Sequence, residues 1–178
     1  MRYAIVLLSL LLALAGCDRS KLNEGKYLEE GADAVLPFKR SLKAALVSGM
    51  HEGPVHAISV CRTEAPKIAE EASTQTARVG RSSLKLRNPA NAPKAWMRPL
   101  LERYEANPED REPAVVVIDD ETVGYVEPIF VQPLCLTCHG SSIPAELQAK
   151  LSELYPSDQA TGYEPGDLRG VFWAELAR

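Results

Sequence analysis

The sequence predicts an α+β fold, and three observations carry that expectation. Two long stretches of helical periodicity come first in the chain. Short runs rich in β-branched residues, separated by turn signals, come later. The length, 178 residues, suits one domain with a sizeable core, with no internal repeat or low-complexity segment to divide it. Helices first and strands after read as an antiparallel sheet with helices segregated from it or inserted in its connections.

Residues 1–16 read as an export signal. Arg2 supplies the positive charge, and residues 4–15 form an apolar run interrupted only by Ser9. A bilayer span takes about 20 residues, so this run fits a signal-peptide core instead. It ends in Leu14-Ala15-Gly16-Cys17, which resembles a bacterial lipobox. That resemblance implies cleavage before Cys17 and acylation of Cys17, so that a membrane is a partner through the N-terminal lipid. It places the mature protein on the periplasmic side of a bacterial membrane, and Asp18 favours the inner one. Residues 17–25 are expected to tether the domain, which then occupies 26–178.

Within the domain, residues 26–48 show Leu28, Ala32, Val35, Leu42, Ala45 and Leu46 at helical spacing. Pro37 lies inside this stretch and is expected to kink or divide it. Gly49 and Gly53-Pro54 mark a break. A second helix is expected over 54–74, with Ile58, Cys61, Ala65, Ile68 and Ala72 on one stripe and a bend at Pro66. Residues 79–87 alternate weakly as a strand, 88–91 form a turn, and 93–105 read as a third helix. The run 114–118 is a good strand, Asp119-Asp120-Glu121 a hairpin turn, and 123–131 its partner. A helix over 144–155, a loop and a last strand near 171–176 complete the chain.

The formal net charge is −4, and removal of residues 1–16 takes Arg2 with it. An acidic chain of this kind is a poor candidate for nucleic-acid binding.

Between strand 123–131 and the next helix stands Cys135-Leu136-Thr137-Cys138-His139, a C-x-x-C-H string. In an exported protein this pattern reads as covalent attachment of one c-type haem. The thiols of Cys135 and Cys138 add across the haem vinyl groups, and the adjacent imidazole of His139 is held beside the iron. A zinc site or a Cys135–Cys138 disulfide is the bland alternative, but adjacent Cys138 and His139 suit one tetrahedral ion poorly.

No Met, His or Cys follows His139, so a ligand for the opposite side of the iron must come from upstream, or that position stays open. The usual small helical cytochrome, which draws a downstream Met, is excluded. The upstream candidates are Met50, His51, His56, Cys61 and Met97. Met50, His51 and His56 surround the Gly/Pro break, and Met97 beside Trp96 also reads as core packing. With Cys17 given to lipid and Cys135 and Cys138 to haem, Cys61 is the one thiol left. It reads equally as a small buried hydrophobe. Its place in mid-stripe, where a haem face could rest on Ile58, Ala65 and Ile68, makes it the favoured ligand.

An ordered set of motifs adds to this reading: Ala57-Ile58-x-Val60-Cys61, Arg87-Asn88-Pro89-x-Asn91-x-Pro93, Cys135-x-x-Cys138-His139-Gly140, Tyr155-Pro156-x-Asp158-x-Ala160-x-Gly162-Tyr163 and Gly166-Asp167-x-Arg169-Gly170. Together they resemble the PAS-like c-type haem domain, a family of exported proteins also found as the sensor region of histidine kinases. The resemblance spans roughly residues 25–176. It implies a PAS-like antiparallel sheet with two long N-terminal helices, one covalently bound haem, His139 as proximal ligand and Cys61 opposite. No kinase region is expected to accompany it here.

Arg78, Arg81, Lys85 and Arg87 form a basic cluster suited to haem propionates, for which planar Arg donors serve well. Arg87, beside the Asn88-Pro89 turn, and Arg169 are the better candidates; the other three read equally as a solvated strand face. Tyr155-Pro156 and Gly162-Tyr163 read as loop-shaping residues. No Ser/His/Asp set or phosphate-cradling Gly loop is evident. The expected function is therefore non-enzymatic: redox or small-ligand sensing, with a gaseous ligand or a redox partner. A small electron-transfer cytochrome is the alternative. A haem peroxidase or reductase comes behind both, because no distal acid–base residue is evident.

Overall fold

The computed structural model describes residues 22–178, so the signal peptide, lipobox and Cys17 lie outside the described residues. Helix α1 (Glu24–His51) opens the domain, and α2 (Pro54–Ala72) folds back against it. The Asn23 side chain accepts from the Lys26 backbone N–H at 3.2 Å and caps α1. Glu24 and Gly25, expected in the tether, therefore belong to the helix. Gly53 makes the tight turn between the helices with φ +112°, a conformation open to glycine. Pro54 follows at the start of α2, where its missing N–H costs nothing.

Neither Pro37 nor Pro66 divides its helix. Both prolines are exposed, as are Asp33 and Arg62 one turn earlier. The carbonyls that lose their partners thus face water, while buried Val35, Phe38 and Ala65 carry each helix across.

The sheet has four strands: β1 (Ala77–Ser82), β2 (Ala114–Val117), β3 (Thr122–Phe130) and β4 (Leu168–Ala177). Their order is β1-β4-β3-β2 and every pairing is antiparallel. This is the α+β, PAS-like architecture with two long N-terminal helices that the sequence predicts. β1 is shorter than the alternation over 79–87 suggests. After Ser82, whose hydroxyl donates to the Asn91 carbonyl at 2.8 Å, the chain leaves the sheet, and the Leu86 carbonyl accepts from Gln159 N at 2.7 Å. Residues 83–87 are thus spent on reaching the far loop rather than on pairing.

Side chains alternate across the sheet, as the period of two demands. Val79, Val123, Tyr125, Ala174 and Leu176 pack under Tyr27, Val35 and Phe38 of α1. On the opposite face Val126 and Val171 meet Met97 and the helix α3 (Arg98–Ala106), through Leu101 and Tyr104. This helix starts later than the expected residue 93, because Pro99 lacks an N–H and fits the first turn. Met97 is 1% exposed in that cluster and packs as core.

β3 runs out into a short 3-10 turn (Pro133–Cys135) and the one-turn helix α4 (Leu136–His139), which carry the C-x-x-C-H string. Helix α5 (Ala145–Leu154) follows and packs on α2 through Ile58, Leu147, Leu151 and Tyr155. Among the described residues no helix is long and apolar enough to cross a membrane.

Candidate functional site

The site forms where α4, the loop after α5, the segment after β1 and the middle of α2 converge. Hydrogen bonds lock the string to the later loop: Tyr163 N donates to the His139 carbonyl and Gly162 N to the Gly140 carbonyl, both at 3.0 Å. Val131, Ala160 and Tyr163 are buried together, with Cys135 and Leu136 packed against them.

His139 is oriented by a backbone group. Its Nδ1 lies 2.6 Å from the Ala160 carbonyl oxygen, which can only accept, so Nδ1 carries the proton and Nε2 keeps its lone pair. Tyr163 stands edge-on to the imidazole, with ring centroids 6.2 Å apart and planes at 88°. Burial, then the charges of Arg169, Arg87 and Arg81, push the His139 pKa down to about 2; the Ala160 bond opposes them. The ring is neutral and ready to coordinate.

Cys135 and Cys138 are free thiols, half-buried, and so is Cys61. They form no disulfide. Among the described residues no group of three or more His, Cys, Asp or Glu converges as a metal-binding set. Burial pushes the Cys61 thiol up, while Arg81 and Arg87 pull it back. Burial also raises Cys138, with Arg87 opposing and Cys61 adding to the rise. Cys61 and Cys138 therefore lie near enough to feel each other's charge.

The other upstream ligand candidates sit elsewhere. His51 is exposed at the end of α1, and His56 is exposed with Nε2 3.5 Å from Glu52. Met50 is half-buried in the last turn of α1, and Met97 packs on the opposite sheet face. Cys61 is the candidate whose neighbourhood includes the string.

Arg87 spans the site. Its Nε donates to Asp158 Oδ2 at 3.0 Å, and Nη2 reaches Asp158 at 2.9 Å, the Cys138 carbonyl, and the Ala160 carbonyl at 3.3 Å. The pair is well buried, with the two side chains 12% and 10% exposed. Asp158 in turn accepts from the Ala160 N–H at 2.8 Å. Arg87 thus ties the string to the loop that orients His139. Arg169 lies over the Tyr163 ring at 5.5 Å and donates to the Lys85 carbonyl at 3.5 Å. Burial and the neighbouring guanidiniums lower the Arg169 pKa.

Sequence reasoning did not assign two contributors, the Ala160 carbonyl and Asp158, and left a third, Arg81, undecided. The Ala160 carbonyl is backbone and carries no residue-type signal. Asp158 stands in the Tyr-Pro-x-Asp motif without a role that composition could reveal. Arg81 reads from sequence equally as a propionate partner and as solvated strand, although Val79 two residues earlier already marks that face as buried.

A model of the Tll0287-like family matches residues 19–176. Among solved structures, that of the cyanobacterial haem-protein Tll0287 is similar, with 30% sequence identity and a TM-score of 0.63. The match covers 84% of this chain and 96% of that one. A comparison with curated proteins found no match.

Proposed function

The chain belongs to the Tll0287-like family, and from that premise we propose that it is an exported, lipid-anchored protein carrying one covalent c-type haem for redox or small-ligand sensing. The observation that carries this reading is the state of the C-x-x-C-H string: two free thiols beside an imidazole whose Nδ1 is already spent on Ala160. That is the donor set a haem of this kind needs, because a ligating His is usually fixed through its other nitrogen.

Each residue then has a chemical part. The Cys135 and Cys138 thiols would add across vinyl groups, sulfur bonding to one carbon while the thiol proton goes to the other. His139 Nε2 would hold the iron, and Cys61 would be its second protein ligand. A bound haem supplies a one-electron couple, and thiolate ligation stabilises the ferric state. Loss of the Cys61 bond on reduction would open a place for a diatomic gas. The anchor at Cys17 would hold the domain on the periplasmic side of a bacterial membrane, preferably the inner one, without an enzymatic role and without nucleic acid as partner.

A second reading, electron transfer to a membrane partner, is favoured by Tyr163. Its ring meets His139 on one side and lines a surface groove of about 240 Å³ with Lys85, Tyr104 and Asp167 on the other.

Anaerobic ferric and ferrous spectra of the haem-matured chain, with and without Cys61→Ser, test the reading. A thiolate-type ferric spectrum lost in the variant, with carbon monoxide binding the ferrous protein, is expected. Spectra untouched by the substitution would return Cys61 to core packing. A ferrous form that stays six-coordinate and ignores carbon monoxide would sink the gas-sensing part.

A further inference from the structure

We propose that Arg81 and Arg169, rather than Arg87, take up the two carboxylates of the haem; this rests on the haem reading above. The argument starts from charge. Arg81, Arg87 and Arg169 all bear on His139, yet among the described residues only Arg87 has a carboxylate partner, Asp158. A poorly solvated guanidinium without a counter-ion is costly, and one left unpaired in a folded site marks a place where an anion belongs.

Arg81 reaches the site by strand register. It follows Val79 by two residues on β1, so both present the same face. Val79 belongs to the buried cluster against which Ile68, Ala69 and Ala72, at the C-terminal end of α2, are packed. β1 follows α2 after the short connection at residues 73–76 and packs on it, so Arg81, on the face shared with Val79, lies on the side of the strand turned toward α2. Its electrostatic neighbours agree: Cys61, Tyr155 and Arg87. Among the described residues Arg81 makes no hydrogen bond and no ion pair. Burial holds its pKa below the usual guanidinium value.

Arg169 approaches from β4, stacked on the Tyr163 ring that stands edge-on to His139. Its one hydrogen bond among the described residues is the long contact to the Lys85 carbonyl, so its fork is almost entirely available. Arg87 differs. Its Nε and Nη2 are engaged by Asp158 and two carbonyls, and only Nη1 is left over. The nearby carboxylates are also committed: Asp167 accepts from Glu164 N at 2.8 Å, and Glu164 from Ser141 at 3.2 Å. Two unmatched guanidiniums beside the string fit the two propionates of one haem in number, charge and planar donor geometry.

Resonance Raman spectra and midpoint potentials of the full haem-loaded chain test the assignment. Arg81→Gln and Arg169→Gln are each expected to shift the propionate bending band and lower the potential, since losing a positive charge favours ferric iron. Arg81→Lys should restore the potential. Arg78→Gln, exposed on the same strand, should match the wild type. An unchanged band and potential in Arg81→Gln would overturn the proposal. Should Arg81→Gln not mature, recovery of haem in Arg81→Lys supports it, and failure of both variants overturns it in favour of a folding role. Absence of covalent haem on the wild-type chain by pyridine haemochromogen assay would remove the haem reading itself, and this inference with it.

Discussion

The imidazole of His139 hangs on the carbonyl of Ala160, a residue 21 positions further along the chain. The same carbonyl accepts from Arg87, and the N–H of the same residue donates to Asp158. One backbone unit therefore sets the tautomer of His139 and is itself set by a buried ion pair. Orientation of the string is a property of the loop after α5 as much as of α4.

Asp158→Ala should make this visible as lost stability. The substitution leaves Arg87 buried without its carboxylate and frees the Ala160 N–H. Removing one member of a buried pair costs about 3–5 kcal/mol. Asp158→Asn should cost less, because its amide oxygen still accepts from Ala160. Urea unfolding measures both; an alanine variant within about 1 kcal/mol of wild type would show that the pair holds nothing in place.

Gly31 of α1 lies against the Tyr125 ring so closely that a Cβ there would stand 2.2 Å from a ring carbon. Gly31→Ala must push α1 off the sheet, and overpacking of this kind costs about 1–3 kcal/mol. Gly25 in the first turn of the same helix meets nothing nearer than 3.9 Å. Gly25→Ala should thus be neutral or slightly stabilising, from helix propensity alone. Thermal melts of the two variants separate contact from propensity.

The Tyr125 hydroxyl gives a prediction in alkali. It donates to Glu127 Oε2 at 3.3 Å, and Glu127 also pairs with Lys39. Burial first, then the Glu127 charge, raise its pKa well above the usual phenol value. Above about pH 10 the unfolded chain loses a proton that the folded chain keeps, so stability falls as pH rises through that value. Tyr125→Phe should flatten the decline in the urea midpoint between about pH 9 and 11. A slope identical to wild type would place the alkaline loss in other groups.

Much of this was legible beforehand for a physical reason. Helical spacing in 26–48 and β-branched runs at 114–118 and 123–131 report burial directly, so the elements could be placed within a few residues. The C-x-x-C-H string is chemistry written in consecutive positions. Whether Pro37 divides its helix is not legible in the sequence, because the cost of a proline depends on which face it occupies, and only packing decides that; α1 runs on through it. The partners of Arg87 are equally hidden from the sequence: Asp158 and two carbonyls distant along the chain hold it, and its neighbouring turn does not announce them. The segment after β1 and the loop after α5 are joined by the backbone bond from Gln159 N to the Leu86 carbonyl, for which side-chain identity gives no signal.

Tyr163 should prove a positioning residue for His139. Its ring is 4% exposed, stands edge-on to the imidazole, and is flanked by Lys85 at 4.9 Å and Arg169 at 5.5 Å. The edge-on contact fixes the plane of the imidazole, while Ala160 fixes its tautomer. Tyr163→Phe keeps the ring and should leave the ferric electron paramagnetic resonance spectrum of the haem-loaded chain unchanged. Tyr163→Leu removes the contact and should alter the g-values as the imidazole turns, with about 1–2 kcal/mol of stability lost through the aromatic contacts. A residue that only fills space would lose the stability in Tyr163→Leu and leave the spectrum as it was.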